Sequence, residues 1–280
     1  MATETIKANH SPLLRVCGLT KHYWTSGRVW RKRTLFTAVD DISFELSHGK
    51  TLGLVGSSGC GKSSLARCVT RLEGADAGEI WLEGVDIARL NSRELLPYRS
   101  QIQMIFQDPA TAMNPRMTAA EIVQEPLLIQ RRGTSAERQA RTAELMREVG
   151  LSPDWMNRRI TEFSGGQRQR MAIARALSLQ PKLLVLDEAF TGLDLSTQAQ
   201  IANLLLDLQA THSLTYILIS HDLSLVARIA DEIAVMSAGK IIELGPVRQI
   251  ISTPTHPVTQ SLVTSHHGFR VQHAAAGGFA

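Results

Sequence analysis

The octapeptide Gly56-Ser57-Ser58-Gly59-Cys60-Gly61-Lys62-Ser63 leaves few folds open to this chain. It fits the pattern G-x-x-x-x-G-K-[ST] without a mismatch. An apolar run, Leu52-Gly53-Leu54-Val55, stands before it and reads as a buried strand. A helical pattern opens at Lys62 and runs to about Arg71. Strand, glycine-rich turn and helix together make a phosphate-binding loop. Glycines let successive backbone N–H groups turn inward around a phosphate, and the helix that follows adds its positive end. In this reading Gly56, Ser57, Ser58, Gly59, Cys60 and Gly61 form the cradle. Lys62 brings a point charge to the outer phosphates, Ser63 offers a hydroxyl to Mg²⁺, and Ser64 stands beside it. The competing explanation is a Gly/Ser turn ahead of an ordinary helix.

At 280 residues, 44% hydrophobic and 20% charged, the chain can build one large α/β domain or a core with a subdomain. A net charge of +4 is too mild to argue for nucleic acid on its own. The first ten residues, MATETIKANH, lack the apolar core of a signal peptide. No run of about 18 apolar residues occurs, so no membrane span is expected. Cys17, Cys60 and Cys68 are scattered, without a C-x-x-C pair or metal spacing. Reduced thiols in a cytosolic compartment are the expectation.

Residues 13–19, 42–46 and 78–82 read as further strands. Between the first two lies 25–34, with Gly27, Trp30 and the cluster Arg31-Lys32-Arg33. It reads as a solvated loop, the functional alternative being contact with acidic lipid headgroups or a partner. From 92 to 161 helical patterns dominate, notably 119–130 and 135–149, punctuated by Pro97, Pro109, Pro115, Pro126 and Pro153. After Ser164 an α/β rhythm resumes. Helix 165–179 leads to strand 183–186, and helix 196–210 to strand 215–219. A helix from Asp222 and strands 233–236 and 240–244 follow. Continuous runs such as LLVL and YILI suit parallel strands buried on both faces. The last ten residues, rich in alanine and glycine, read as disordered.

Strand 183–186 ends in Asp187-Glu188. In open α/β sheets ligands bind beyond the carboxyl ends of strands, which places Asp187 to hold Mg²⁺ and Glu188 to take a proton from an attacking water. About 120 residues after a complete phosphate loop, this pair carries weight that an apolar strand ending in Asp would not carry alone. Ile219-Ser220-His221 repeats the arrangement on the next strand, where His221 could touch a γ-phosphate or be a plain surface histidine. Gln107 closes the run 102–106 and can orient water or offer its amide oxygen to Mg²⁺; otherwise it is a turn residue before Pro109. Ser164-Gly165-Gly166-Gln167 opens another helix, with Ser164 as its N-cap and two glycines that suit an anion. One nucleotide rarely needs two such helix starts from the same protomer.

Taken together these motifs resemble the ATPase subunit of an ATP-binding cassette (ABC) transporter, over about residues 13–262. The octapeptide matches Walker A, and Gln107 matches the Q-loop. Phe163-Ser164-Gly165-Gly166-Gln167 matches the signature, with Phe where Leu is usual. Residues 183–187 match Walker B with Glu188 as catalytic base. Leu193-Asp194 matches the D-loop, His221 the switch histidine, and Tyr23 the aromatic residue that stacks on adenine. The resemblance implies an α/β P-loop NTPase (RecA-like) core with an antiparallel β edge and an inserted helical subdomain. It divides the chain into 1–95 (A-loop, Walker A), 96–163 (helical subdomain with Q-loop), 164–250 (second part of the core) and a tail, 251–280. It implies ATP and Mg²⁺ as cofactors, and a second ATPase subunit so that each ATP lies between one Walker A and the other signature. It also implies two integral membrane permease subunits, indirect work with an extracytoplasmic solute-binding protein, no nucleic acid, and a peripheral place on the cytoplasmic face of the plasma membrane.

The segment between Tyr23 and Ala38, the residues Phe106-Gln107-Asp108-Pro109 with Asn114-Pro115, and Thr255-His256-Pro257-Val258-Thr259-Gln260-Ser261-Leu262 resemble the oligopeptide/dipeptide/nickel importer branch. Val258 stands where Tyr is usual there, and Phe190-Thr191-Gly192 departs from its commoner D-loop. No C-terminal cysteine cluster is present, so no iron–sulfur cluster is expected. The competing classes are a soluble ABC ATPase not coupled to transport, a GTPase, and a catalytically silent subunit. No N-K-x-D motif supports a GTPase, and Lys62, Asp187, Glu188 and His221 argue against a silent subunit.

Overall fold

Three strands of this protein are buried along their whole length, and their placement organises everything else. The computed structural model describes residues 11–25, 34–108 and 111–265. The buried strands are β3 (Thr51–Gly56), β7 (Leu183–Asp187) and β8 (Thr215–Ile219). With β6 (Ile102–Ile105), β9 (Glu232–Ser237) and β10 (Lys240–Pro246) they form a six-stranded sheet in the order β10-β9-β3-β8-β7-β6. All neighbours run parallel except β10, which pairs antiparallel with β9 at the edge. The apolar runs of β7 and β8 feed two cores, because successive side chains point to opposite faces. Leu184, Leu186, Tyr216 and Leu218 join one core, and Leu183, Val185, Ile217 and Ile219 join the other.

The second core lies under an antiparallel sheet of order β2-β1-β4-β5, built from β1 (Leu14–Thr25), β2 (Thr34–Leu46), β4 (Ala77–Leu82) and β5 (Val85–Asp86). From Asp41 to Leu46, β2 alternates exposed and buried residues, as a strand with one wet face must. Helix α1 (Lys62–Val69) sits in this core and buries Leu65, Ala66, Cys68 and Val69.

The first core is covered by α5 (Gly165–Leu177), α6 (Leu195–His212) and α7 (Leu223–Ile229), and by the helical segment. That segment holds α3 (Ala119–Ile129) and α4 (Ser135–Glu148) after the short α2 (Ser92–Arg99). Thr118 and Thr134 cap α3 and α4, and the Glu121 and Glu137 carboxylates accept in return from the capping residues' N–H groups. Arg175 of α5 ties the segment down through Glu125 of α3 at 2.6 Å and the Ala112 carbonyl at 3.1 Å.

The structure adds to the sequence reading at several places and leaves two of its stretches untested. Strand 13–19 is the start of a longer β1, which puts Tyr23 within a strand opposite Phe36 of β2. The stretch 96–163 includes β6, whose residues pair with β7 in the main sheet. The stretch 251–280 contains α9 (Pro257–Ser265), and α8 (Val247–Ser252) straddles its boundary. The basic cluster Arg31-Lys32-Arg33 and the last ten residues lie outside the described residues.

Helix α9 is tethered by Glu243 of β10. The carboxylate accepts from the Thr255 N–H (2.9 Å), the Thr255 hydroxyl (2.9 Å) and the His256 N–H (3.1 Å). Burial alone would raise this carboxyl. The donors of Thr255 and His256 outweigh it and pull it down to about 2. A carboxyl depressed from an ordinary 4.5 contributes fully above that pH and loses its contribution as the pH falls through about 2. Glu243→Ala should let the Thr255 and His256 amides exchange about fivefold faster at neutral pH, the factor of one net hydrogen bond. Amides of β7 and β8 should keep their rates; hydrogen exchange read residue by residue checks both.

Candidate functional site

The phosphate loop begins where β3 leaves the sheet. Gly61 has φ +110°, and a Cβ there would collide with the Ala38 carbonyl oxygen, so only glycine fits between the loop and β2. Lys62 is 5% exposed, and its ammonium is folded into the loop, donating to the Gly56 carbonyl (2.8 Å) and the Ser57 carbonyl (2.9 Å). The N-cap of α1 makes no side-chain hydrogen bond, and its first turn carries no acidic residue. Helices α2 to α7 each open on a side chain that accepts from their first amides. The first turn of α1 therefore keeps N–H donors for an anion.

Strand order decides what faces this loop. Strands β3, β8, β7 and β6 are consecutive neighbours and parallel, so their carboxyl ends lie side by side. Those ends carry the phosphate loop, Ser220-His221, Asp187-Glu188 and Phe106-Gln107, in that order across the sheet. Asp187 is 6% exposed, and its Oδ1 accepts from the Ser63 hydroxyl at 3.0 Å, a bond that closes the gap between α1 and β7. Burial holds the Asp187 carboxyl above its ordinary value and Glu188 adds to this, while the Ser63 hydroxyl pulls the other way. Glu188 follows with a φ of +48° and donates its N–H to the Ile219 carbonyl at 3.0 Å. Left-handed backbone at a non-glycine residue costs energy and turns the chain sharply as it leaves the strand. Ser220 is buried and accepts from the Asp222 N–H at 3.0 Å, holding the turn that carries the exposed His221. Gln107 is exposed beyond the end of β6.

Tyr23 is half-buried on β1 and donates its hydroxyl to Glu73. The other helix start lies apart from this group. Ser164 caps α5, accepting from the Gln167 N–H at 3.3 Å, while the Gln167 side chain accepts from the Ser164 N–H at 2.9 Å. Among the described residues, no hydrogen bond or ion pair joins Ser164, Gly165, Gly166 or Gln167 to residues 56–64. A Cβ on Gly166 would stand 2.6 Å from Thr197 Cγ2, so glycine there permits the close approach of α5 to α6. Asp194 is exposed and caps α6, accepting from the Thr197 N–H (2.9 Å) and hydroxyl (2.7 Å); those bonds lower its carboxyl. The departure at Phe163 has a packing reason. Its ring is buried edge-on against Trp155, with centroids 6.0 Å apart.

Beside Gln107, a cavity of about 300 Å³ opens between β6, α3 and α5. Its apolar lining includes Met104, Phe106, Met113, Ile129 and Ala176. Phe106 is 38% exposed and Ile129 73%, unusual for side chains of that size. No motif in the sequence points to this cavity, because its lining comes from several elements. Glu73, the Tyr23 partner, is likewise invisible in the sequence, being 50 residues away.

The chain was compared with known families, curated proteins and solved structures. Residues 39–191, more than half of the chain, match the ABC transporter family. The chain is 46% identical over 255 residues to a probable peptide ABC transporter ATP-binding protein of Sinorhizobium fredii, covering 90% of this chain and 72% of that protein. It is 43% identical over 263 residues to the dipeptide transport ATP-binding protein DppF of Haemophilus influenzae, covering 94% and 80%. It is 45% identical over 255 residues to the oligopeptide transport ATP-binding protein OppF of Bacillus subtilis, covering 90% and 82%. Its fold superposes on the dimeric ATP-binding cassette MJ0796 bound to ADP and phosphate with a TM-score of 0.74 and 27% identity, over 84% of this chain and 99% of that one. The chain therefore belongs to the ABC transporter family, as one of its ATP-hydrolysing subunits.

Proposed function

We propose that this protein is the ATPase of a peptide importer, working as a dimer beneath two membrane permease subunits on the cytoplasmic face. The observation that carries the peptide assignment is the similarity, at 43–46% identity over at least 90% of the chain, to proteins named for peptide, dipeptide and oligopeptide transport. Among the described residues no helix is long and apolar enough to cross a membrane.

The placement of the residues supports the following roles. The loop amides of residues 56–61 and the first turn of α1, with Ser64, take the phosphates, and Lys62 swings its ammonium to the outer ones. The Ser63 hydroxyl and Asp187 carboxylate, 3.0 Å apart, are hard oxygen donors of the kind Mg²⁺ takes, and Gln107 offers an amide oxygen from two strands away from the His221 turn. Mg²⁺ bound with the nucleotide would neutralise part of the phosphate charge. Glu188, beyond the Mg²⁺ ligand and turned by its own backbone, is the base that takes a proton from the attacking water. His221 reaches for the γ-phosphate from the strand between. Tyr23 stacks on the base. Ser164, Gly165, Gly166 and Gln167, with Asp194 beside them, serve the nucleotide of the partner subunit. MJ0796 was captured as a dimer with ADP and phosphate, an assembly of the type this reading requires.

The apolar cavity beside Gln107 gives the membrane partner a seat. A segment of permease docked against Phe106 and Ile129 would sense Gln107, and through it the state of the nucleotide.

Glu188→Gln should bind ATP as the wild type does and hydrolyse it about 10² to 10⁴ times more slowly. It should therefore accumulate an ATP-bound dimer on sizing columns; fast turnover in the purified variant would remove Glu188 from the role of base. Ile129→Asp should leave ATP binding by the isolated chain unchanged while lowering peptide uptake by reconstituted vesicles at least about tenfold, because a charge facing an apolar contact must be desolvated. Undiminished uptake would place the permease elsewhere.

A further inference from the structure

Tyr23 is held more firmly than a residue that merely offers a ring face to a base needs to be. Its hydroxyl donates to Glu73, and the other Glu73 oxygen accepts from Arg67 Nη1 of α1 at 3.3 Å. The Lys21 ammonium stands over the ring, 5.4 Å from its centroid, a cation–π distance. Lys21 is fixed in turn. Its side chain is only 15% exposed, and its ammonium donates to the Gly74 carbonyl at 2.8 Å and pairs with Asp76 at 3.7 Å. The His22 N–H donates to the same Asp76 carboxylate at 2.6 Å. The segment 73–76 thus grips three consecutive residues of β1, Lys21, His22 and Tyr23. Burial, then the bond to Glu73, holds the phenol's ionisation above its ordinary value, so it remains a donor at neutral pH.

We propose that Glu73 is a positioning residue for nucleotide binding: its carboxylate anchors the Tyr23 hydroxyl while the Lys21 ammonium occupies one face, so that the other face is set for a base. This rests on the reading that Tyr23 stacks on the nucleotide's base. A ring fixed before binding does not have to be ordered when the base arrives, and that ordering otherwise subtracts from affinity. Stacking on a ring face reads no base edge. The effect of Glu73 should therefore fall alike on ATP and GTP and be absent for a triphosphate that has no base.

The test uses the full chain, with binding of MgATP, MgGTP and magnesium tripolyphosphate measured for the wild type, Glu73→Ala, Glu73→Gln, Tyr23→Phe and Tyr23→Ala. Glu73→Ala and Tyr23→Phe should each weaken ATP and GTP about 3- to 10-fold, the size of one ordinary net hydrogen bond. Glu73→Gln keeps an acceptor for the phenol and should recover most of the loss. Tyr23→Ala should cost more, about 10-fold or greater, since the stack itself goes. Tripolyphosphate should bind all of them equally. If Tyr23→Ala weakens ATP but Glu73→Ala and Tyr23→Phe do not, the positioning role is overturned and the stacking reading survives. Wild-type ATP affinity in Tyr23→Ala overturns both. Equal weakening of tripolyphosphate and ATP in Glu73→Ala overturns the proposal in favour of a structural role for Glu73 in the loop after α1.

Discussion

Peptide groups inside β3, β7 and β8 have no water to bond to, because both faces of those strands are covered. Their hydrogen bonds must come from neighbouring strands, and the parallel ladders supply them. The strands can meet polar chemistry only at their ends. There the run of apolar residues breaks into Gly56, Asp187-Glu188 and Ser220-His221. The site is thus the rim of a sheet whose interior is mostly apolar, its few buried polar groups hydrogen-bonded internally. Its groups sit side by side because the strands that carry them do.

That rim is drawn together by few bonds. The Ser63 hydroxyl reaches Asp187 from the start of α1, and the Glu188 N–H reaches the end of β8. Lys62 is withdrawn into its own loop, bonded to two carbonyls, and a phosphate would compete for it. The amide ends of α1 and α5 contrast usefully. The first is left without a side-chain cap, while the second is closed by Ser164 and Gln167. A helix start without a cap favours an anion more strongly, since nothing internal has to be displaced.

Away from the rim, the antiparallel sheet and the helical segment add surfaces rather than catalytic groups. The first holds Tyr23 through contacts with the loop after α1. The second packs on α5 through the Arg175–Glu125 pair and leaves an apolar cavity beside Gln107. Both connect residues far apart in the chain, and neither is part of a sequence motif.

The local patterns were legible in the residues themselves. The octapeptide with its strand and helix, the buried runs LLVL and YILI, the cap at Ser164, and the pair Asp187-Glu188 each depend on short-range sterics, periodicity or side-chain chemistry. Those act over a few residues and survive in a linear string. The full length of β1 and β2 was not legible, since Trp24, Leu35 and Phe36 are exposed and make strand only by pairing with one another. Nor was the place of β6, a short segment in a helical neighbourhood that becomes strand because β7 has a free edge. Strand order placed His221 between Asp187 and the phosphate loop, and no local signal encodes it. The Glu73–Tyr23 contact and the cavity by Gln107 belong to the same class. Their energies come from burial and from pairs that meet only after the chain has folded, so tertiary packing alone decided them.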